Sequence, residues 1–368
     1  MRNYISRLHI KSFRGIKDLE LDDLQPINIF TGDNNSGKTS VLEVIQSFEN
    51  PGNFRSWKNI LRKNPMIAPR NGITYYEGFY DLFDINTEVK KVEYTIDLLQ
   101  EQRQNIVLSA RESEEELSEK KIAKIQGIST VISEEDDEME RIRSISKLEM
   151  TIEINHQKKA EIAVYEGQLN FLANLYGKKT EHTIVYISPV RHTEGTVYLG
   201  KILDQPELYE QMLQVLREYD KDIISINFDT ANSSYQYGTY KILSKSHKKA
   251  LPLALYGDGM KKAVLLMSAV IAAKDGILLL DEFETAIHTS GMDKTFKWIL
   301  ETCIKLNVQV FMTSHSKEAI DKLLKCSPSC KSQMAVYTLY KHKDGTTVRR
   351  LDGEKAVEVQ DDMGLELR

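Results

Sequence analysis

Apolar and polar positions alternate along "YISRLHIKSF" and again along "GIKDLELDDL", which predicts two antiparallel strands at the start of the chain. "PINIF" is a short continuous apolar run, the pattern of a strand buried on both faces. After Gly37 the period changes: Val41, Leu42, Ile45 and Phe48 recur at helical spacing, and "NPGN" at residues 50–53 ends that helix. From about residue 54 to 186 the rhythm is mixed. "ITYYEGFYDLF" reads as helix, "VEYTIDLL" and "QNIVLSA" as strands, and "SKLEMTIEIN" with "KKAEIAVYEG" as a hairpin, whereas residues 111–147 are dominated by charge. The five consecutive acids at residues 134–138 predict a solvated loop or helix cap, or a docking face for a basic partner. Past the buried strand "HTIVYIS", a helix is expected from about residue 199 to 219, then strand-like "IISINFD" and "YQYGTYKIL". The final third alternates: helix from about Met260, strand "GILLLD", helix from about Met292, strand "VQVFMTS", helix "KEAIDKLLK", and the pair "MAVYTLYKH" and "TTVRRLDG". The order predicts an α/β fold with N-terminal antiparallel strands and a central, mainly parallel sheet flanked by helices. Three parts are expected: an N-terminal lobe at residues 1–53, an inserted mixed α+β subdomain at 54–182, and a C-terminal lobe at 183–368.

With 368 residues, 41% of them hydrophobic, the chain can bury a full core. Its longest apolar runs, "GILLL" and "AVLLMSAVIAA", fall short of a membrane span, and the charged start "MRNYISRLHIKSF" is unlike a secretory signal. A soluble, cytoplasmic protein without a membrane partner is therefore expected. Three cysteines build no disulfide framework, and Cys326 and Cys330 lack the second close pair of Cys or His that a tetrahedral zinc site needs. A formal net charge of −5 leaves DNA open as a partner only through a local basic patch. "SKSHKKA" at residues 244–250 is the best such patch, against the plainer reading of a solvated turn.

Chemistry concentrates at "FTGDNNSGKTSVLEVI", which fits G-x-x-x-x-G-K-[ST] at Gly32, Gly37, Lys38 and Thr39. Glycines let the backbone take positive φ, so that N–H groups along Asp33, Asn34, Asn35 and Ser36 converge on a phosphate while the helix starting near Gly37 adds its positive end. Lys38 would neutralise β and γ oxygens; the Thr39 hydroxyl, followed by Ser40, would enter a magnesium shell. "GILLLDEFE" supplies the complement: a pure apolar strand that delivers Asp281 as a metal ligand and Glu282 as a general base for water. "VQVFMTSHS" ends a further buried strand at His315, either a surface histidine or, given its order after the acids, a neutral donor to a γ-phosphate.

Taken together, "GDNNSGKTS", "YGDGMKKAVLLMSAV", "LLLDEFETAIH" and "FMTSHS" resemble the ABC-type ATPases. The narrower likeness is to single-chain ATPases of the overcoming-lysogenisation-defect (OLD) family in bacterial defence systems, with kinship to SMC- and RecF-type heads. The likeness covers the first 50 residues and the stretch from about residue 185 onward. It implies ATP and Mg²⁺ as ligands and a head-to-tail homodimer or higher homo-oligomer. In that pairing Gly257, Asp258 and Gly259, with Lys261 or Lys262, would clamp the partner's γ-phosphate. It further implies that Arg14 in "SFRGI" approaches the nucleotide, and that Glu284 and His288 in "ETAIH" contact the opposite protomer, with Thr289 in place of the usual proline. "SPVR" at residues 188–191 recurs in similar proteins without a derivable role, and no glutamine lid is evident. Family members with a nuclease carry it after the ATPase, and this chain ends soon after its last strands, so an effector in trans, a nuclease or toxin, is expected. The alternative is a DNA-repair or chromosome-maintenance ATPase, although no sustained heptad run separates the two halves. A GTPase or small-molecule kinase would leave the signature loop without a use, and no Asn-Lys-x-Asp guanine reader follows.

Overall fold

The computed structural model describes residues 5–62, 73–99, 102–127, 141–169, 181–189, 199–202, 205–229, 239–286, 289–343 and 345–363. The alternation at the start of the chain forms β1 (Ile5–Phe13) and β2 (Ile16–Leu21), paired antiparallel with Leu8 opposite Leu21. The apolar run after them is β3 (Ile27–Gly32), every residue of it buried. The helix Lys38–Ser47 follows, then the short helices Phe54–Asn59 and Tyr75–Tyr80. The second of these is started by a reciprocal capping box between Thr74 and Glu77.

Next come β4 (Lys90–Leu98), β5 (Arg103–Ser118), the helix Glu119–Gln126, and the hairpin β6 (Ile142–Ile154) and β7 (Gln157–Tyr165). These strands do not form a subdomain of their own. β4 pairs antiparallel with β1, so the order β2-β1-β4-β5-β6-β7 makes one six-stranded antiparallel sheet from both sides of residue 53. The sheet crosses the boundary expected at 53/54, because the backbone groups of β1 point to both of its edges and it pairs with β2 on one and β4 on the other. Residues 111–118 are strand, matched one for one with β6 out to Ser118 opposite Ile142. Cross-strand partners make this tolerable, with Ser144 Oγ 2.8 Å from Glu114 Oε2 and Lys147 Nζ 2.9 Å from Glu115 Oε2. The five acids at 134–138 lie outside the described residues.

The central sheet has the order β15-β14-β3-β13-β12-β8. Its members are β8 (Ile184–Ile187), β12 (Ile277–Leu280), β13 (Gln309–Thr313), β14 (Met334–Lys341) and β15 (Thr346–Asp352) besides β3. All are parallel except β15, which runs antiparallel to β14. Alternate residues serve two cores. Leu278, Leu280, Val310 and Met312 pack with the helices Asp258–Ala272, Thr289–Lys305 and Lys317–Cys326, whereas Ile277, Leu279 and Phe311 pack toward the helix Lys38–Ser47 and the antiparallel sheet. Burial on both faces is why these strands read as unbroken apolar runs.

The helix expected over 199–219 is split into a 3-10 turn, Leu199–Ile202, and the helix Pro206–Leu216 with proline in its first turn. β9 (Ile223–Asp229), β10 (Thr239–Ser244) and the short β11 (Leu251–Pro252) form a small antiparallel sheet before the helix Asp258–Ala272. The helix Gly353–Met363 follows β15.

Candidate nucleotide site

The turn after β3 has the backbone that its glycines foretell. Gly32 sits at φ 132°, and a Cβ there would lie 2.4 Å from the Leu339 carbonyl oxygen of β14. Gly37, at φ 102°, caps the N-terminus of the helix Lys38–Ser47, and Asn35 between them is also at positive φ. Lys38 is 4% exposed, and its ammonium donates to the carbonyls of Gly32 and Asp33, each at 2.8 Å, and to Ser36 Oγ at 3.4 Å. Burial lowers its pKa to about 8 against the opposing pull of Asp281, Asp33, Glu282 and Glu284.

β12 brings its acids to this turn because it lies one strand away from β3 across β13. Asp281 is buried, and its Oδ1 accepts from Thr39 Oγ1 at 3.2 Å and from Thr313 Oγ1 at 2.6 Å, while its Oδ2 accepts from the Tyr186 hydroxyl at 3.1 Å. Burial, with the adjacent Asp281 charge, raises the Tyr186 phenol far above its usual pKa, so it stays a donor. Glu282 follows at φ 48°, its N–H held by Thr313 Oγ1 at 2.8 Å. His315 lies just past β13, and its backbone N–H donates to Glu284 Oε1 at 2.7 Å.

A cleft of about 350 Å³ is lined by residues 35–40, the turn 14–16, Arg62, His315 and Lys341, and Asp281 meets it through its contact with Thr39. Arg14 is on the wall, and its donors point inward: Nε to Glu43 Oε2 at 3.0 Å, and its terminal nitrogens to the carbonyls of Asp81 and Ile60, each at 3.1 Å. Arg62 takes the other side of Glu43, at 2.8 and 3.1 Å, and reaches Ser40 Oγ at 3.3 Å. Sequence reasoning missed Glu43, Arg62, Lys341, Tyr186 and Thr313.

Residues 257–262 are not among those that line this cleft. Gly257 caps the helix Asp258–Ala272 with open space around it, and Gly259 abuts the Tyr219 ring. Lys261 pairs with Asp258 at 2.6 Å, and Lys262 donates to the Thr285 carbonyl. Ser188 and Pro189 follow β8; Val190, Arg191 and His288 lie outside the described residues, as does the Thr289 side chain.

One carboxylate and one hydroxyl suit a magnesium ion, which keeps much of its shell for water and substrate phosphates instead of a full protein cage. No group of three or more His, Cys, Asp or Glu side chains arranged for a metal occurs among the described residues. No helix among them is long and apolar enough to cross a membrane.

Fold and cleft together define a P-loop ATPase domain of the AAA/ABC type, a class that binds nucleotide. The chain belongs to the family described as "AAA domain, putative AbiEii toxin, Type IV TA system", whose model matches residues 27–321. It is 26% identical over 353 residues to an "ATP/GTP phosphatase" of Helicobacter pylori, covering 87% of each chain. Over 66 residues it is 46% identical to the DNA replication and repair protein RecF of Acinetobacter baylyi, a match to 17% of this chain and 18% of RecF. In fold it is similar to an Smc head solved with the C-terminal winged-helix domain of ScpA, with a TM-score of 0.50 at 12% identity over 96% of this chain and 99% of that one.

Proposed function

We propose that this chain is an ATP-hydrolysing switch: two copies close head to tail around ATP and magnesium, and their changing arrangement controls an effector protein in a bacterial defence system. The observation that supports it most is the Thr39–Asp281 contact at 3.2 Å, which joins the phosphate turn to the acids of β12 across the length of the chain. In this reading Lys38 exchanges its contacts to the loop carbonyls for phosphate oxygens, a rearrangement within reach of its flexible stem. Thr39 and Asp281 would hold magnesium, which when bound neutralises charge on the phosphates. Glu282 accepts a proton from water, and His315 donates to the terminal phosphate.

Lys261 and Lys262 have partners in their own chain, so the clamp offered to a second copy would rest on the backbone N–H groups at the start of the helix Asp258–Ala272. Control of an effector, and the OLD-like defence role in the cytoplasm, rest on the resemblance of the motifs and on the toxin-system description of the matched family. The phosphatase name of the H. pylori relative supports hydrolysis. Phosphate release from ATP with magnesium by the purified chain, with light scattering in the presence of a non-hydrolysable analogue, tests the reading. No release, or an unchanged mass with the analogue, would sink it. Co-purification from the host then identifies the effector.

A second reading, direct DNA binding, is favoured by the exposed turn carrying Lys245, His247, Lys248 and Lys249 after β10, and by the local likeness to RecF. Binding to duplex DNA that weakens steeply with salt would support it.

A further inference from the structure

Asp281 is received by both neighbours of its strand. β8 and β13 flank β12 in parallel register, with Leu280 opposite Ile187 on one side and Met312 on the other. From β8, one residue before that point, the Tyr186 hydroxyl reaches Oδ2 at 3.1 Å; from β13, one residue after it, the Thr313 hydroxyl reaches Oδ1 at 2.6 Å. A carboxylate gripped at both oxygens from opposite sides cannot turn about its Cβ–Cγ bond without breaking one of the two bonds. Oδ1 also accepts from the Thr39 hydroxyl, at the longer distance of 3.2 Å. The short contact is to β13 and the long one is to the first turn of the helix Lys38–Ser47, next to the phosphate turn. Thr313 serves twice, since the same oxygen takes the backbone N–H of Glu282, a residue held at φ 48° where non-glycine residues seldom settle.

A buried carboxylate needs donors simply to avoid a desolvation cost, and one hydroxyl group would reduce that cost. Two donors placed on opposite oxygens by two different strands do more: they set the plane. We infer that Tyr186 and Thr313 are positioning residues that orient the Asp281 carboxylate toward the divalent ion bound with the nucleotide, so that affinity for the ion depends on hydroxyl groups that never touch it. The inference rests on the proposed nucleotide reading and adds the residues that set its metal requirement.

Tyr186→Phe removes one hydroxyl and keeps the ring in place. Binding of a fluorescent ATP analogue is followed while Mg²⁺ is raised, and bound Mn²⁺ is counted separately by electron paramagnetic resonance. The Mg²⁺ midpoint for Tyr186→Phe is expected to rise about tenfold or more, the usual effect of losing an outer partner of a metal ligand. Analogue binding without metal should stay at the wild-type level. Thr313→Ser should keep the wild-type midpoint and Thr313→Val should shift it. A wild-type midpoint in Tyr186→Phe overturns the inference, as do equal shifts in the two Thr313 variants, which would mark packing and not hydrogen bonding. If the wild-type chain itself responds to no divalent ion, the nucleotide reading falls first.

Discussion

Arg62 and Glu43 make a two-pronged contact on the wall of the nucleotide cleft, Nε to Oε1 at 2.8 Å and a terminal nitrogen to Oε2 at 3.1 Å, while Arg14 holds Glu43 from behind at 3.0 Å. One buried acid thus ties the turn after β1, the segment after the helix Phe54–Asn59 and the P-loop helix into a single knot. Glu43→Ala would leave the buried Arg14 guanidinium without its counter-charge. Breaking a buried pair from one side costs about 3 kcal/mol or more, and a loss of that order is expected in denaturant unfolding. A loss under about 1 kcal/mol would mean that the knot is solvated like a surface pair.

The lowered pKa of Lys38 makes nucleotide binding a proton-linked event. The folded, nucleotide-free chain releases this proton near pH 8, whereas the unfolded chain keeps it up to about its ordinary value of 10.5. Between those values the unfolded state holds more protons, so this group's contribution to stability rises with pH across that window, and below it burial of the ammonium weighs against folding. A bound triphosphate favours the charged amine. ATP binding at about pH 8.5 should therefore take up protons, seen as a dependence of the calorimetric heat on the buffer's ionisation enthalpy. Lys38→Ala should abolish both the binding and the uptake.

Glu282→Gln preserves shape and removes the base. ATP binding is expected to remain, with turnover reduced more than about a hundredfold, equivalent to roughly 3 kcal/mol in the barrier. Wild-type turnover in this variant would move the base elsewhere in the cleft.

A site completed by a second copy is best tested at Gly257. Nothing lies within 4 Å of the position a Cβ would take there, and its backbone is extended, so Gly257→Arg should leave the melting temperature unchanged. Gly259→Arg is a less clean variant because its Cβ would press on the Tyr219 ring at 3.2 Å. For Gly257→Arg, nucleotide binding should persist and hydrolysis should fail; normal turnover would argue for a site contained in one chain.

The half of the cleft made from contiguous residues is legible in the amino-acid sequence. A glycine turn between β3 and its helix, and two acids after β12, are local patterns with local causes. Their meeting is legible as well, because strands of an open parallel sheet present their carboxyl ends on one edge. The opposite wall is not. Arg62 and Lys341 come from segments separated from the phosphate turn, and Lys341 arrives only because β14 lies beside β3, a pairing of residues some three hundred positions apart. Long separation along the chain likewise hides the joining of β4 to β1, in which Ile5 faces Leu98. It also hides the strand in the charged half of β5, since the cross-strand partners that stabilise Glu114 and Glu115 belong to β6.

β1 ends at Phe13, and the next residue enters the cleft wall as Arg14. Along its length β1 is stitched to β4, which is stitched in turn to β5, β6 and β7. Torque applied to the far hairpin would therefore travel through hydrogen-bonded backbone to the turn that borders the phosphate loop, and a twist starting at that turn would travel outward along the same planks. The far hairpin and the turn at the pocket are thus joined by one unbroken run of hydrogen-bonded backbone.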